Sequence, residues 1–195
     1  ADGATMTFGT DGAFGFIDSD GGNTVLGTTV TEDGTLNIED SGNSADVLDF
    51  TSTVAITSGK TFTIELAKDA ASAVGDEVSL QFSGAVTAAG GNLAINSTDN
   101  SVAGSGNTVD FESTVTLGTL TVKAGDGGAD AAGGTLGLVD LTGNSAITTL
   151  TLQSGTGGAG AATAGGVLTV SDVGGDISGT AFVVSGGDGA VSAFN

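Results

Sequence analysis

Two short acidic segments have the residue types and spacing to bind a hard cation such as calcium. Calcium takes about six to eight oxygen ligands from carboxylates, amides and backbone carbonyls in glycine turns. Residues 18–23 read DSDGGN and begin a D-x-D-G loop without its distal Glu, while residues 125–130 read GDGGAD. The candidate ligands are Asp18, Asp20, Asn23, Asp126 and Asp130. We therefore expect calcium as the candidate cofactor, against the alternative that Asp and Gly simply form solvated turns.

The composition excludes most other site chemistry. The 195 residues include no Cys and no His, which removes thiol catalysis, a structural zinc site, a serine–histidine dyad and disulfides. Three basic residues against 23 acidic ones give a net charge of −20, which opposes binding to nucleic acid or to an anionic membrane. Without Trp or Tyr there is no platform for sugar rings beside a pair of catalytic carboxylates. We expect no enzymatic activity.

Short runs of alternating apolar and polar residues must provide the framework for any such site. Residues 61–66 read TFTIEL and residues 119–123 read TLTVK, so Val, Leu, Ile or Phe faces one side and Thr or a charge the other. Turn residues separate these runs at intervals of roughly 8 to 15 residues, as in multi-stranded all-β folds. The only helix candidate is a short alanine-rich stretch, 66–74. No run of apolar residues is long enough for a transmembrane segment.

Internal similarity favours a repetitive all-β fold. Residues 49–56 read DFTSTVAI and residues 110–117 read DFESTVTL, whereas a shorter Gly-x-Leu pattern recurs from 34, 91, 134 and 166 without a fixed spacing. We predict one all-β domain spanning 1–195. The composition predicts a thin core, which favours an irregular β-solenoid. The uneven spacing of the Gly-x-Leu pattern keeps an antiparallel, jelly-roll-like β-sandwich as the close alternative.

The N-terminal segment 1–17 is the candidate assembly strand. It contains the only Met and three of the nine Phe residues. Such a strand belongs either to the chain's own sheet or to the open edge of another copy, where main-chain hydrogen bonds provide affinity. The candidate assembly residues are Phe8, Phe14, Phe16 and Ile17.

The Thr-, Gly-, Ala- and Asp-rich strand pattern resembles that of repetitive prokaryotic cell-surface proteins. Segments 49–56, 110–122 and 134–152 carry the resemblance, which covers surface-layer proteins, adhesins and autotransporter passenger regions. The resemblance implies an exported building block of a surface layer, filament or extracellular matrix, often with calcium-dependent assembly.

Two physical arguments lead to the same expectation. Proline is absent and lysine, the usual guard of strand edges, is scarce, so the strand edges remain able to pair. A net charge of −20 keeps copies apart until cations screen or bridge them. We therefore expect an extracellular structural protein that forms a homo-polymer. The alternative is a calcium-binding adhesion module that recognises a surface ligand.

Overall fold

A computed structural model shows how the alternating runs are arranged. It describes residues 5–8, 12–18, 23–25, 27–40, 46–68, 78–98, 106–124, 135–141, 145–155, 167–170, 177–179, 181–185 and 191–192. Every regular element in these residues is a β-strand. Residues 66–68 of the helix candidate 66–74 form the end of a β-strand, and the rest of that stretch lies outside the described residues.

The strands form three faces, each a row of seven strands. The first face contains β1 (Thr5–Phe8), β4 (Gly27–Val30), β7 (Val54–Ile56), β10 (Val86–Thr98), β12 (Val115–Lys123), β14 (Ser145–Gln153) and β16 (Ile177–Ser178). The second face contains β2 (Gly12–Asp18), β5 (Gly34–Asp40), β8 (Thr61–Lys68), the distal halves of β10, β12 and β14, and β17 (Ala181–Ser185). The third face contains β3 (Asn23–Val25), β6 (Asp46–Phe50), β9 (Val78–Phe82), β11 (Gly106–Phe111), β13 (Thr135–Leu141), β15 (Leu168–Val170) and β18 (Val191–Ser192).

All pairings among the described strands are parallel, which makes the fold a β-solenoid and excludes the antiparallel sandwich. The chain visits the three faces in turn, and each strand pairs with the strand one coil later. Val54 pairs with Val86, which pairs with Val115, so successive coils differ in length. This variation explains the uneven spacing of the sequence pattern.

Alternation along each strand separates a buried interior from the outer surface. On β12, Val115, Leu117, Leu120 and Val122 are buried, and the residues between them are partly exposed. The phase shifts by one residue at Gly118, where the strand passes from the first face to the second. Similar columns from all three faces fill the narrow core with Val, Leu, Ile and Phe.

Three phenylalanines stack along the third face just before its corner with the first. Phe50 and Phe82 have ring centroids 5.2 Å apart, and Phe82 and Phe111 have centroids 4.7 Å apart, with nearly parallel rings. The corner that follows each phenylalanine is three residues long in all three coils. Backbone hydrogen bonds join the corner to the preceding coil, and the Gly84 amide donates one of them to the Phe50 carbonyl at 2.8 Å. The recurring corner fixes the register of the stack.

Candidate functional site at the C-terminal coil

The predicted cation ligands lie only partly within the described residues. Asp18 ends β2 and pairs with Glu39, whereas Asn23 begins β3 and pairs with Leu48. The other three candidates, Asp20, Asp126 and Asp130, lie outside the described residues. Within the described part of the chain no three acidic side chains form a group that could hold a metal ion. Calcium binding by these five residues stays a prediction.

The predicted assembly residues lie in the first two strands. Phe8 ends β1, and its register partner is Val30 of β4. Phe14, Phe16 and Ile17 lie in β2, which pairs with β5 across a local irregularity between positions 13 and 15. Strands β1 and β2 thus join the chain's own stack through one edge. Among the described strands, their other edges have no partner.

The opposite end of the stack exposes apolar side chains that belong to buried columns. Phe182 pairs with Leu150 and Val184 pairs with Leu152. Leu150 is 2% exposed and Leu152 is fully buried, but Phe182 and Val184 are each 51% exposed. Val183, between them, is 42% exposed. Among the described strands, the inward columns of the second face therefore end at β17, where these side chains are exposed.

An open apolar groove lies beside these residues. Its volume is about 320 Å³, and it is lined by Ile147, Leu150, Ile177, Gly179, Ala181 and Phe182. None of these side chains is charged, although the chain has a net charge of −20. Strand β17 pairs with β14 along one edge, and no described strand pairs with its other edge. We define the C-terminal end surface as Phe182, Val183, Val184 and this groove.

Sequence reasoning missed the C-terminal end surface, although a signal was present. In 149–153 the outward positions carry Thr, Thr and Gln, so the strand reads TLTLQ. The equivalent strand 181–185 reads AFVVS, with Ala and Val at the outward positions that pair with Thr149 and Thr151. Loss of threonine from both outward positions marks a strand with two apolar sides.

Comparison with protein-family models, curated proteins and solved structures finds no match. In the described residues no helix is long and apolar enough to cross a membrane. The surfaces of the solenoid are therefore the features from which a function can be inferred.

Proposed function

We propose that this chain is an extracellular structural protein whose copies associate end to end, forming a filament or a layer at the cell surface. The observation that carries the proposal is the exposure of Phe182 and Val184, whose register partners Leu150 and Leu152 are buried. Covering the exposed half of each side chain contributes roughly 1 kcal/mol. A second copy that continues the stack supplies this cover.

Strand direction supports a head-to-tail junction. Every pairing among the described strands is parallel, so β2 of one copy can lie along β17 of the next in the direction that the stack already uses. Such a contact joins two different surfaces and leaves a free end after every addition, which generates an open filament and not a closed dimer. The predicted assembly residues Phe14, Phe16 and Ile17 lie on the incoming strand.

Electrostatics supports dependence on cations. The net charge of −20 makes copies repel each other at low ionic strength, and divalent cations reduce this repulsion most effectively. The junction itself carries no charged side chain on β17. Calcium accordingly acts in this proposal as the ion that permits association, through the acidic segments 18–23 and 125–130.

The test is negative-stain microscopy and sedimentation velocity of the purified chain in millimolar calcium and again with a chelator. The double substitution Phe182→Asp and Val184→Asp places two carboxylates on the C-terminal end surface. A matched control, Thr108→Asp and Thr169→Asp, adds the same charge on the outer side of the third face. We expect filaments from the unchanged chain and from the control, and monomers from the Phe182/Val184 variant.

Three other outcomes would change the proposal. Filaments that persist in chelator retain the structural role and remove the calcium dependence. If the Phe182/Val184 variant forms filaments equally well, the junction does not involve β17. A monodisperse monomer in both solutions contradicts self-assembly and makes the calcium-binding adhesion module the leading function.

A further inference from the structure

The second face carries a regular set of threonines on its outer side. Three Thr-x-Thr triplets lie on β8, β12 and β14, and we define the hydroxyl face as Thr61, Thr63, Thr119, Thr121, Thr149 and Thr151. The central residue of each triplet is Phe62, Leu120 or Leu150, and all three are buried. Because side chains alternate along a strand, the flanking threonines point outward, where each remains partly exposed.

Parallel pairing places these threonines in two straight columns. Thr119 pairs with Thr149, and Thr121 pairs with Thr151, without a shift between the two strands. On the intervening strand β10, Asn92 and Ala94 occupy the same two columns. Neighbouring positions are therefore about 4.8 Å apart between strands and about 6.6 Å apart along a strand. The result is a two-dimensional lattice of hydroxyl and methyl groups.

The side chains of this lattice have little freedom. Threonine is branched at Cβ and has restricted χ1 angles, so its hydroxyl and methyl groups occupy repeated positions on a strand. Each hydroxyl offers one donor and two acceptor sites. Asn92 belongs to the same polar network, since its Nδ2 donates to Thr61 Oγ1 at 3.4 Å. A surface of this kind can order a layer of water molecules at the spacings of the strand lattice.

The scarcity of charged residues on the hydroxyl face indicates what kind of partner it can bind. From β8 to β17 neither column contains a charged residue, in a chain whose net charge is −20. The adjacent outward column carries one carboxylate, Glu65, and one ammonium, Lys123, and Glu65 accepts a hydrogen bond from Asn96 Nδ2 at 2.8 Å. At the edge of the hydroxyl face the Asp33 Oδ1 accepts a hydrogen bond from the Thr61 amide at 2.7 Å. Within the two columns themselves there is no charged group for an ionic ligand to contact. The partner that matches an uncharged and periodic array of hydroxyls is itself uncharged and periodic.

We propose that the hydroxyl face binds the surface of ice crystals. Crystalline ice presents repeating rows of donors and acceptors at spacings close to those of the strand lattice, and water ordered by the threonines can join it. The methyl groups between the hydroxyls add apolar contact with the same period. The third face lacks this property, because its outer positions include Asp49, Gln81 and Asp110 in one column.

The test measures the gap between melting and freezing temperatures, together with the shape of single ice crystals in solutions of the purified chain. We expect a measurable gap and faceted crystals. The double substitution Thr121→Lys and Thr151→Lys puts two long charged side chains into one column, so the gap should fall to the buffer level. The matched control Thr108→Lys and Thr169→Lys makes the same change on the third face and should keep the full gap.

Circular dichroism of each variant establishes that the strands are retained, and the single substitution Thr121→Lys replaces the double variant if the latter does not fold. The unchanged chain alone can overturn the proposal, because round crystals and no gap are incompatible with ice binding. Equal loss in the third-face control also overturns it. A pelleting assay with microcrystalline cellulose, run in parallel, tests a second ligand that also presents periodic hydroxyl groups. Binding to cellulose without an effect on ice contradicts the proposal and assigns the hydroxyl face to polysaccharide.

Discussion

Replacing Phe82 with alanine tests whether the aromatic stack holds successive coils together. Phe82 is fully buried and lies between Phe50 and Phe111, with centroid separations of 5.2 and 4.7 Å. The substitution removes both ring contacts at once and leaves a cavity in a core that is only one side chain deep from each face. The neighbouring coils cannot close this cavity without losing their strand pairing, because Phe82 pairs directly with Phe111.

The expected cost follows from the burial and the two ring contacts. Truncation of a buried Phe to Ala costs about 3–5 kcal/mol in well-packed cores. Each stacked aromatic pair contributes about 0.5–1.5 kcal/mol beyond area burial, and this substitution removes two such pairs. Because the truncation cost already includes lost contacts, the two ring pairs place the expected value in the upper part of that range. We therefore expect a loss of about 4–5 kcal/mol in the free energy of unfolding. The same substitution at Phe182, which is 51% exposed, should cost roughly 1 kcal/mol or less.

Urea denaturation followed by far-UV circular dichroism measures the difference. Because each coil contacts mainly its neighbours, the stack can unfold in segments, so hydrogen exchange should be used to locate the loss. We expect faster exchange in β6, β9 and β11 of the Phe82→Ala variant and little change in β14. The reasoning is refuted if Phe82→Ala lowers the denaturation midpoint no more than Phe182→Ala does.

Two further substitutions probe the corners of the coils. Gly84→Ala would place a Cβ 2.1 Å from the Ser52 carbonyl oxygen, so we expect the free energy of unfolding to fall by more than about 3 kcal/mol. Gly59 has a φ of 77° and no atom within 4 Å of an added Cβ, so Gly59→Ala should cost only about 1 kcal/mol. Equal denaturation midpoints for these two variants would contradict the corner geometry. Ser97→Ala removes the acceptor, 2.8 Å away, of a hydrogen bond from the buried Asn107 side chain, and we expect a loss of about 1–3 kcal/mol by urea denaturation. A neutral result would mean that this polar pair contributes nothing to the core.

Alternation reports burial directly, so the sequence was sufficient to predict an all-β fold. The composition favoured the solenoid, which the structure confirms, but only the parallel strand pairing excluded the sandwich. The repeat between 49–56 and 110–117 is also real in the structure, but its two copies are two coils apart. The coil between them contains residues 81–88, QFSGAVTA, where Gln pairs with both Asp49 and Asp110. The inward Phe and Val positions keep the same residue types in all three coils, and these side chains are buried. The outward and corner positions differ, and this concealed the intermediate copy.

The shorter Gly-x-Leu pattern shows why local motifs did not give the register. Gly34 pairs with Phe62, which pairs with Leu93, so Gly34 and Gly91 are not equivalent positions. By contrast, Leu136 pairs with Leu168, so the last two copies of the pattern do coincide. The pattern records a glycine at or just before an alternating run, which is the start of β5 for Gly34 and the interior of β10 for Gly91. It carries no information about which coil or face the run joins. Long-range pairing decides that, and so the exposed end at β17 could not be read from the pattern.

Stacking coils by translation has two consequences that connect the proposed surfaces. A stack whose members contact only their neighbours needs a cover at each end, which a chain can obtain from a polar cap or from another copy. The outermost described strand of the second face, β17, exposes Phe182, Val183 and Val184, and we propose that a second copy covers this apolar area. The same translation places every outward side chain in a straight row along the stack. An end-to-end junction in register would repeat the hydroxyl face along the filament, with β17, β2 and β5 between successive copies, and several such faces hold a periodic partner through more simultaneous contacts. In these two proposals, association at the end and binding along the side reinforce each other, and the columns of the hydroxyl face meet the C-terminal end surface at Ala181 and Val183.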